Sequence, residues 1–283
     1  MVKETNKTLD KINQLEPSPL SLPERQKKLE KLSDRVIPNS DSFAIRMDGA
    51  GFSKFTRGLK KPFDEILSKV FELTCIDLMK KFNPSVIYTQ SDEITMIFPS
   101  RLDENAIFAH EYSGRHSKIL SKSSSYCTKK FNKHFFKLAK DFIDSNEDSK
   151  YTKVLEARMF EADFDSRLLI TKDRNELVNS VISRYRDAIK NSKSMYSIAY
   201  LSHKELLNLN GDEKVKKTLK ETGNDWNKID ERYKSGIFFK RTKRLKTVEH
   251  NGENFEVIRT VIDVITKNTM TYKDKDFILS KEI

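Results

Sequence analysis

Apolar and polar positions alternate through residues 43–47, "FAIRM", which puts Phe43, Ile45 and Met47 on one face of a strand that runs into Asp48-Gly49. Beyond Pro62 the period changes. Phe63, Ile66, Leu67, Val70, Phe71, Cys75, Leu78 and Phe82 recur at helical spacing, with the proline in a permitted early position. "NPS" at 83–85 stops that helix. Two short apolar runs follow, "VIYT" (86–89) and "ITMIF" (94–98), and the polar quartet "QSDE" between them predicts a β-hairpin tip. Ile119, Leu120, Tyr126, Cys127, Phe131, Phe135, Leu138 and Phe142 mark a long helix; "SNEDSK" breaks it, and "VLEARMF" (154–160) reads as a further strand.

The resulting order, strand, helix, strand, strand, helix, strand, is the split βαβ arrangement of a ferredoxin-like sheet, an α+β fold. Residues 1–36 are polar, with Pro17, Pro19 and Pro23, and predict a flexible start followed by one peripheral helix. Residues 37–170 hold the ferredoxin-like pattern. Residues 171–283 form a C-terminal helical and hairpin region, with a turn at Asn251-Gly252 in "EHNGENFEVIRTVIDVI".

Composition narrows the function. The 283 residues carry 53 Lys plus Arg against 42 Asp plus Glu, a net charge of +11 that favours a polyanionic partner such as nucleic acid. No apolar run reaches membrane-spanning length. The first thirty residues lack an apolar signal region and contain Glu4, Asp10 and Glu16, which points to a cytoplasmic protein and leaves a mitochondrial site open. Cys75 and Cys127 fall in apolar helical stretches and read as buried thiols. The five histidines form no zinc spacing, and no phosphate-binding glycine loop or nucleophile elbow is present.

Two acids inside "YTQSDEITMIF" therefore need a reason, since unpaired charge in an apolar strand is costly. At a hairpin tip they escape the core. A ferredoxin-like sheet can bring Asp48 near Asp92, and two carboxylates on neighbouring strand ends suit a hard divalent cation. Taken singly, Asp48-Gly49 is an ordinary turn signal and Asp92-Glu93 a solvated tip; their joint placement makes the functional reading the stronger one.

The segments "RMDGAGFSKFTRGLKKPFDE" (46–65) and "YTQSDEITMIF", continued by "YSGRHSKILSKSSSYCTKKFN", "FDSRLLI", "SRYRDAIKNSKSMY" and "TGNDWNKIDERYKSGIFFKR", resemble the tRNA-His guanylyltransferase family, and within it the guanylyltransferase-like 3′-to-5′ RNA polymerases. The resemblance covers roughly residues 20 to 250. It implies a polymerase-type palm with a C-terminal α/β extension, two Mg²⁺ ions, ATP, GTP and other nucleoside triphosphates as substrates, tRNA as partner, and a homotetramer built as a dimer of dimers. Its reaction adenylylates a tRNA 5′-monophosphate, and the 3′-hydroxyl of an incoming nucleotide then attacks the activated phosphate.

By the same resemblance Asp48, the Gly49 carbonyl and Asp92 match metal ligands, and Glu93 is an additional or supporting acid. Lys61, Arg115, Lys118 and Arg167 are candidates for the triphosphate, Arg167 with Asp165 as partner, and Ser91 for a contact beside the metal. Lys61 also precedes a helix N-terminus, a favourable place for phosphate. Lys190, Asn191 and Arg241 are candidates for RNA, the last within the basic run "FFKRTKRLK" (238–246).

Two departures matter. Where the guanylyltransferases carry His-Ile-Asn-Asn, this chain reads "AIKNS" (188–192), with Ile189 in the histidine's place; an apolar side chain cannot make the imidazole's hydrogen bonds. Ala50 stands where an arginine is common, so either Lys54, Arg57 or another base supplies the charge, or one phosphate contact is weaker. The first departure favours templated repair of truncated tRNA 5′ ends over addition of G to tRNA-His. A nucleotidyl cyclase and a non-catalytic RNA-binding protein on a retired palm are the rival readings.

Overall fold

The structure, a computed structural model, describes residues 19–100, 102–103, 106–107, 109–146, 149–250 and 253–282. It comprises two units, Met1–Val36 and Ile37–Ile283. In the first, helix α1 (Leu22–Ser33) opens on a capping box between Ser21 and Glu24, with Pro23 in its first turn. The flexible start expected ahead of it falls mostly on residues 1–18, outside the described residues.

The second unit is built on one antiparallel sheet of six strands in the order β6-β1-β3-β2-β7-β8. In chain order its elements are β1 (Ser42–Gly49), α2 (Phe52–Phe55), α3 (Glu65–Phe82), β2 (Val86–Gln90), β3 (Glu93–Phe98), the short β4 (Leu102–Asp103) and β5 (Ala106–Ile107), and α4 (His116–Asp144). There follow α5 (Lys150–Glu156), β6 (Phe164–Thr171), α6 (Arg174–Ile198), α7 (Gly211–Thr222), α8 (Glu231–Ser235), β7 (Ile237–His250), β8 (Glu253–Ile265) and α9 (Lys275–Leu279). The strands β6-β1-β3-β2 reproduce the ferredoxin-like order. The β2–β3 hairpin folds β3 back between β1 and β2, and the α4 crossover returns the chain to the far side of β1.

The fourth strand is not "VLEARMF". Residues 150–156 form α5, whose N-terminus Ser149 caps by accepting the Thr152 N–H at 3.2 Å. The helical period begins with the half-buried Tyr151, ahead of the misread segment, and continues to the fully buried Leu155. The strand is Phe164–Thr171, an edge strand whose inward residues Phe164, Ser166 and Leu168 alternate with exposed Asp165, Arg167 and Leu169.

Both sheet faces are covered. On one, Ile45, Met47, Ile94 and Met96 pack with Val70, Phe71, Leu78, Phe131 and Phe135 of α3 and α4. On the other, Ala44, Tyr88 and Ile97 pack with Leu177, Val181 and Tyr185 of α6 and Ile278 of α9. Residues before and after 170 thus share one sheet and its cores. β7 and β8 pair as far as His250↔Glu253; the expected turn residues Asn251-Gly252 lie outside the described residues.

Candidate active site

The site grows from the ends of β1 and β3. The two-residue turn Ser91-Asp92 joins Gln90 to its partner Glu93, and Ser91 takes a left-handed φ of 55° that so tight a turn demands. The Gly49 N–H donates to the Asp92 carbonyl at 3.1 Å, and Ser91 Oγ donates to Asp92 Oδ1 at 3.0 Å. Main-chain bonding therefore sets the end of β1 against the hairpin tip. The following loop is held from the other side, where the Ala50 N–H donates to the Asp163 carbonyl at 2.9 Å. Gly49 has a packing reason as well. A Cβ there would lie 2.1 Å from the ring of Phe52, which is buried among Phe55, Phe71, Phe131 and Phe164. Gly236, with φ 83°, plays the same part behind the hairpin: a Cβ would meet the Thr89 carbonyl at 2.5 Å.

Strand register sets three carboxylates in a row, since Asp48 lies opposite Asp165 on β6 and opposite Glu93 on β3. Like charges directly opposite repel. The outer two are compensated. Glu93 accepts two 2.7 Å bonds from Arg184 of α6 and has Arg46 at 3.9 Å; Asp165 has Arg167 at 3.6 Å. Among the described residues, neither Asp48 nor Asp92 has an ion-pair partner. Burial lifts the Asp92 carboxyl above the usual carboxylate range; the Ser91 hydroxyl opposes that lift, and the charges of Asp48 and Glu93 add to it. Both acids are half-buried, not exposed as strand ends in water would be.

This arrangement fits a divalent cation: two uncompensated carboxylates beside a main-chain carbonyl, with hydrogen-bonded scaffolding behind them. Among the described residues no three His, Cys, Asp or Glu side chains converge on one point, so water or phosphate oxygens would complete any coordination.

Ser91, Asp92 and Lys61 also border a pocket of about 370 Å³, walled by Phe63, Met195 and Tyr233 and bordered by Arg232. Phe63 and Tyr233 stack at 4.3 Å, which fixes that wall. The helix N-terminus behind Lys61 is not open to phosphate. The Asp64 carboxylate caps it, accepting the Leu67 and Lys60 N–H groups at 2.9 and 3.0 Å and the Tyr151 hydroxyl at 2.7 Å.

The remaining expected residues lie on several elements. Arg115 and Lys118 are exposed at the start of α4. The segment leading there packs His110 edge-on to Phe43 at 5.0 Å, at the opposite end of β1 from Asp48; five residues of strand span about 17 Å. Arg167 lies across from Arg46 in the β1–β6 register, and each pairs with an acid of the row, Arg46 with Glu93 and Arg167 with Asp165. Lys190 and Asn191 are exposed on α6, while Ile189 is half-buried against the α6 core.

Arg241 does not face solvent as the basic run suggested. It donates to the Pro84 carbonyl at 2.9 Å and to the Met79 carbonyl, closing the C-terminal end of α3. Its neighbour Lys240 is fully buried and donates to the carbonyls of Ser85, Phe277 and Ser280. Sequence reading passed over Arg46 and Arg184. The alternation of β1 puts Arg46 on the same face as Asp48, a signal that was available; for Arg184 there was none short of the fold.

Residues 23–171 match the family described as "Thg1: tRNAHis guanylyltransferase". "Uncharacterized protein R259" of Acanthamoeba polyphaga mimivirus is 31% identical over 231 residues, covering 77% of this chain and 76% of that protein. A bacterial tRNA(His) guanylyltransferase (Thg1)-like protein solved in complex with ATP is 27% identical with a TM-score of 0.72, covering 91% of this chain and 97% of its own. One solved with GTP is 26% identical with a TM-score of 0.65, covering 92% and 99%. The tRNA(His) guanylyltransferase of Saccharomyces cerevisiae, 19% identical with a TM-score of 0.60 and covering 82% and 95%, shares the fold.

Proposed function

Since the chain belongs to the tRNA-His guanylyltransferase (Thg1) family, nucleotidyltransferases that extend tRNA at its 5′ end, we propose that it is a templated 3′-to-5′ polymerase that repairs truncated tRNA 5′ ends. The observation that carries this reading is Ile189. It stands where the guanylyltransferases have histidine and is packed half-buried against the α6 core, unable to offer a hydrogen bond to tRNA-His. Complementarity to the opposite acceptor strand then chooses the nucleotide, and the protein needs no code for one base.

Asp48, the Gly49 carbonyl and Asp92 would hold two Mg²⁺ ions. When bound, magnesium supplies charge neutralisation at the phosphates and acidifies the attacking hydroxyl. The chain's own residues do the rest. Arg184 holds both Glu93 carboxylate oxygens, which makes Glu93 a positioning residue for the hairpin tip. Arg46 and Arg167, on paired positions of β1 and β6 beside the acids, can fork onto triphosphate oxygens, with Lys61 on the pocket side. The pocket between Phe63, Met195 and Tyr233 has the size and apolar wall for a purine, in keeping with the bacterial relatives solved with ATP and with GTP. Two displacements follow in sequence. A 5′-phosphate oxygen attacks the ATP α-phosphorus and pyrophosphate leaves; the 3′-hydroxyl of the next nucleotide then attacks the 5′ phosphorus, its proton is lost to solvent and AMP leaves.

The test is a tRNA lacking one 5′ acceptor nucleotide, with Mg²⁺, ATP and each nucleoside triphosphate in turn, the opposing base varied through all four. Added nucleotide that follows the opposing base is the expected result. Addition of G alone, whatever lies opposite, would make the protein a guanylyltransferase, and no incorporation would leave a retired palm.

A further inference from the structure

Helix α4 turns one face to solvent along most of its length. Lys122, Lys129, Lys133 and Lys137 are exposed there, and none has an ion-pair partner among the described residues. Phe136 sits in the same stripe, three residues from Lys133 and seven from Lys129, and is 39% exposed. Stacked on it, at 5.1 Å and 26°, is Phe160, 62% exposed. A single exposed aromatic would need no explanation. This one is in addition held at φ 65°, a conformation a bulky L side chain rarely adopts, and such outliers persist where the surroundings impose them.

The imposition is visible. Asn132, buried in α4, clamps the turn that carries Phe160 by donating to the Ala162 carbonyl at 2.8 Å and accepting the Ala162 N–H at 3.1 Å. The next residue, Asp163, holds the Ala50 N–H of the loop after β1, and Phe164 pairs with Gly49. Phe160 is four residues from that pairing, at most about 14 Å of chain. The turn that carries Phe160 is thus tied to the loop following Asp48, and both rings are exposed. Glu161 and Asp163 on the turn repel phosphate, which leaves the rings to a base and the backbone to the lysines.

We propose that Phe136 and Phe160 form a stacking platform for an unpaired base of the tRNA substrate, flanked by the lysine face of α4 that receives the RNA backbone. An unpaired base presents a free π-face to such a platform, and aromatic stacking beside a basic track is how single-stranded RNA ends are held. This rests on the reading that tRNA is the substrate.

The experiment measures, by fluorescence anisotropy, the affinity of the full chain for a 5′-truncated tRNA transcript across a salt series. Incorporation by the unaltered protein is recorded in parallel. Phe160→Gly is the informative change, because glycine takes φ 65° without strain. The expected result is affinity weakened about ten-fold with an unchanged or higher melting temperature. Phe136→Ala should weaken binding similarly. Lys129→Gln with Lys133→Gln should lower the slope of log K against log salt by about one per lysine engaged. Unchanged affinity in both phenylalanine variants overturns the platform. So does a loss of affinity in Phe160→Gly that merely tracks a fall in melting temperature. Failure of the unaltered protein to bind or extend tRNA would instead sink the substrate reading, which separates the two failures.

Discussion

Arg184→Met tests whether the tether between α6 and the hairpin tip is worth what its geometry suggests. The change keeps the aliphatic stem and removes both 2.7 Å bonds to Glu93, together with the 3.1 Å contact to Asp187. Fully exposed ion pairs contribute about 0–1 kcal/mol, whereas a buried charge stripped of its partner costs about 3–5 kcal/mol. With side-chain exposures of 16% for Glu93 and 32% for Arg184, the pair lies between these limits, nearer the second on the Glu93 side. The expected loss is about 2–3 kcal/mol, seen in a protein of this size as a melting point lowered by roughly 3–5 °C. Glu93→Gln in the same background should restore most of it, a coupling of about 2 kcal/mol in the double-mutant cycle. Glu93, left with only the 3.9 Å contact to Arg46 beside Asp48 and Asp92, should also raise the nucleotide concentration needed for half-maximal incorporation. Thermal melts and urea midpoints of the four proteins decide the matter. A coupling within about 0.5 kcal/mol of zero would mean that Arg184 is a solvated charge and the tether a coincidence of packing.

Asp48→Asn and Asp92→Asn should each cut incorporation by at least about a hundredfold. Because each removes like-charge repulsion, melting temperature in the absence of metal should hold or rise, and a fall of several degrees would contradict the site's electrostatics. Gly49→Ala must displace the Phe52 ring and should cost about 1–3 kcal/mol; trimming that ring with Phe52→Leu should recover part of it in the double variant, and a neutral Gly49→Ala melt would refute the close contact. Burial pushes the Lys240 amine down to about 8 from its usual 10.5, with Arg241 adding to the shift, so between those pH values the unfolded chain binds the extra proton. The penalty is full below pH 8 and relieved as pH rises to 10.5, so stability relative to Lys240→Met should climb across that window by about 3 kcal/mol at most, and a flat difference would show the amine's proton affinity unshifted.

The elements read correctly from sequence were those whose signal is local. Phe43 to Met47, the α3 stripe and the β2–β3 hairpin each declare themselves within a few residues, and three strands of the order follow from them. "VLEARMF" misled because a short apolar run is compatible with either period, and the turn of helix that decides it starts at Tyr151, outside the run. β6 was passed over as a strand because it lies at the sheet edge, with Leu169 and Ile170 exposed and its alternation correspondingly weak. Asp48 and Asp92 were legible as a pair because both sit where strands end. Arg184 was not, since its partner lies 91 residues away and only the packing of α6 on the sheet brings them together. Lys240 and Arg241 show the converse: in a basic run they look like solvated charge, yet each engages main-chain carbonyls of other elements.

The pairing of Ile87, Tyr88 and Thr89 with β7 has a consequence for the protein's synthesis. By Thr171 the ribosome has delivered every strand of the ferredoxin-like half, with β2 left at its edge. The strand that covers that edge begins only at Ile237. At about 5–20 residues per second the interval lasts several seconds. Throughout it, a run of backbone donors and acceptors with the apolar side chains Val86, Ile87 and Tyr88 stands unpaired, the form of edge through which β-proteins aggregate. The nascent chain is therefore most exposed to misassembly just when its catalytic half is nearly complete, and arrival of β7 both ends that exposure and presses Gly236 against the strand leading to Asp92.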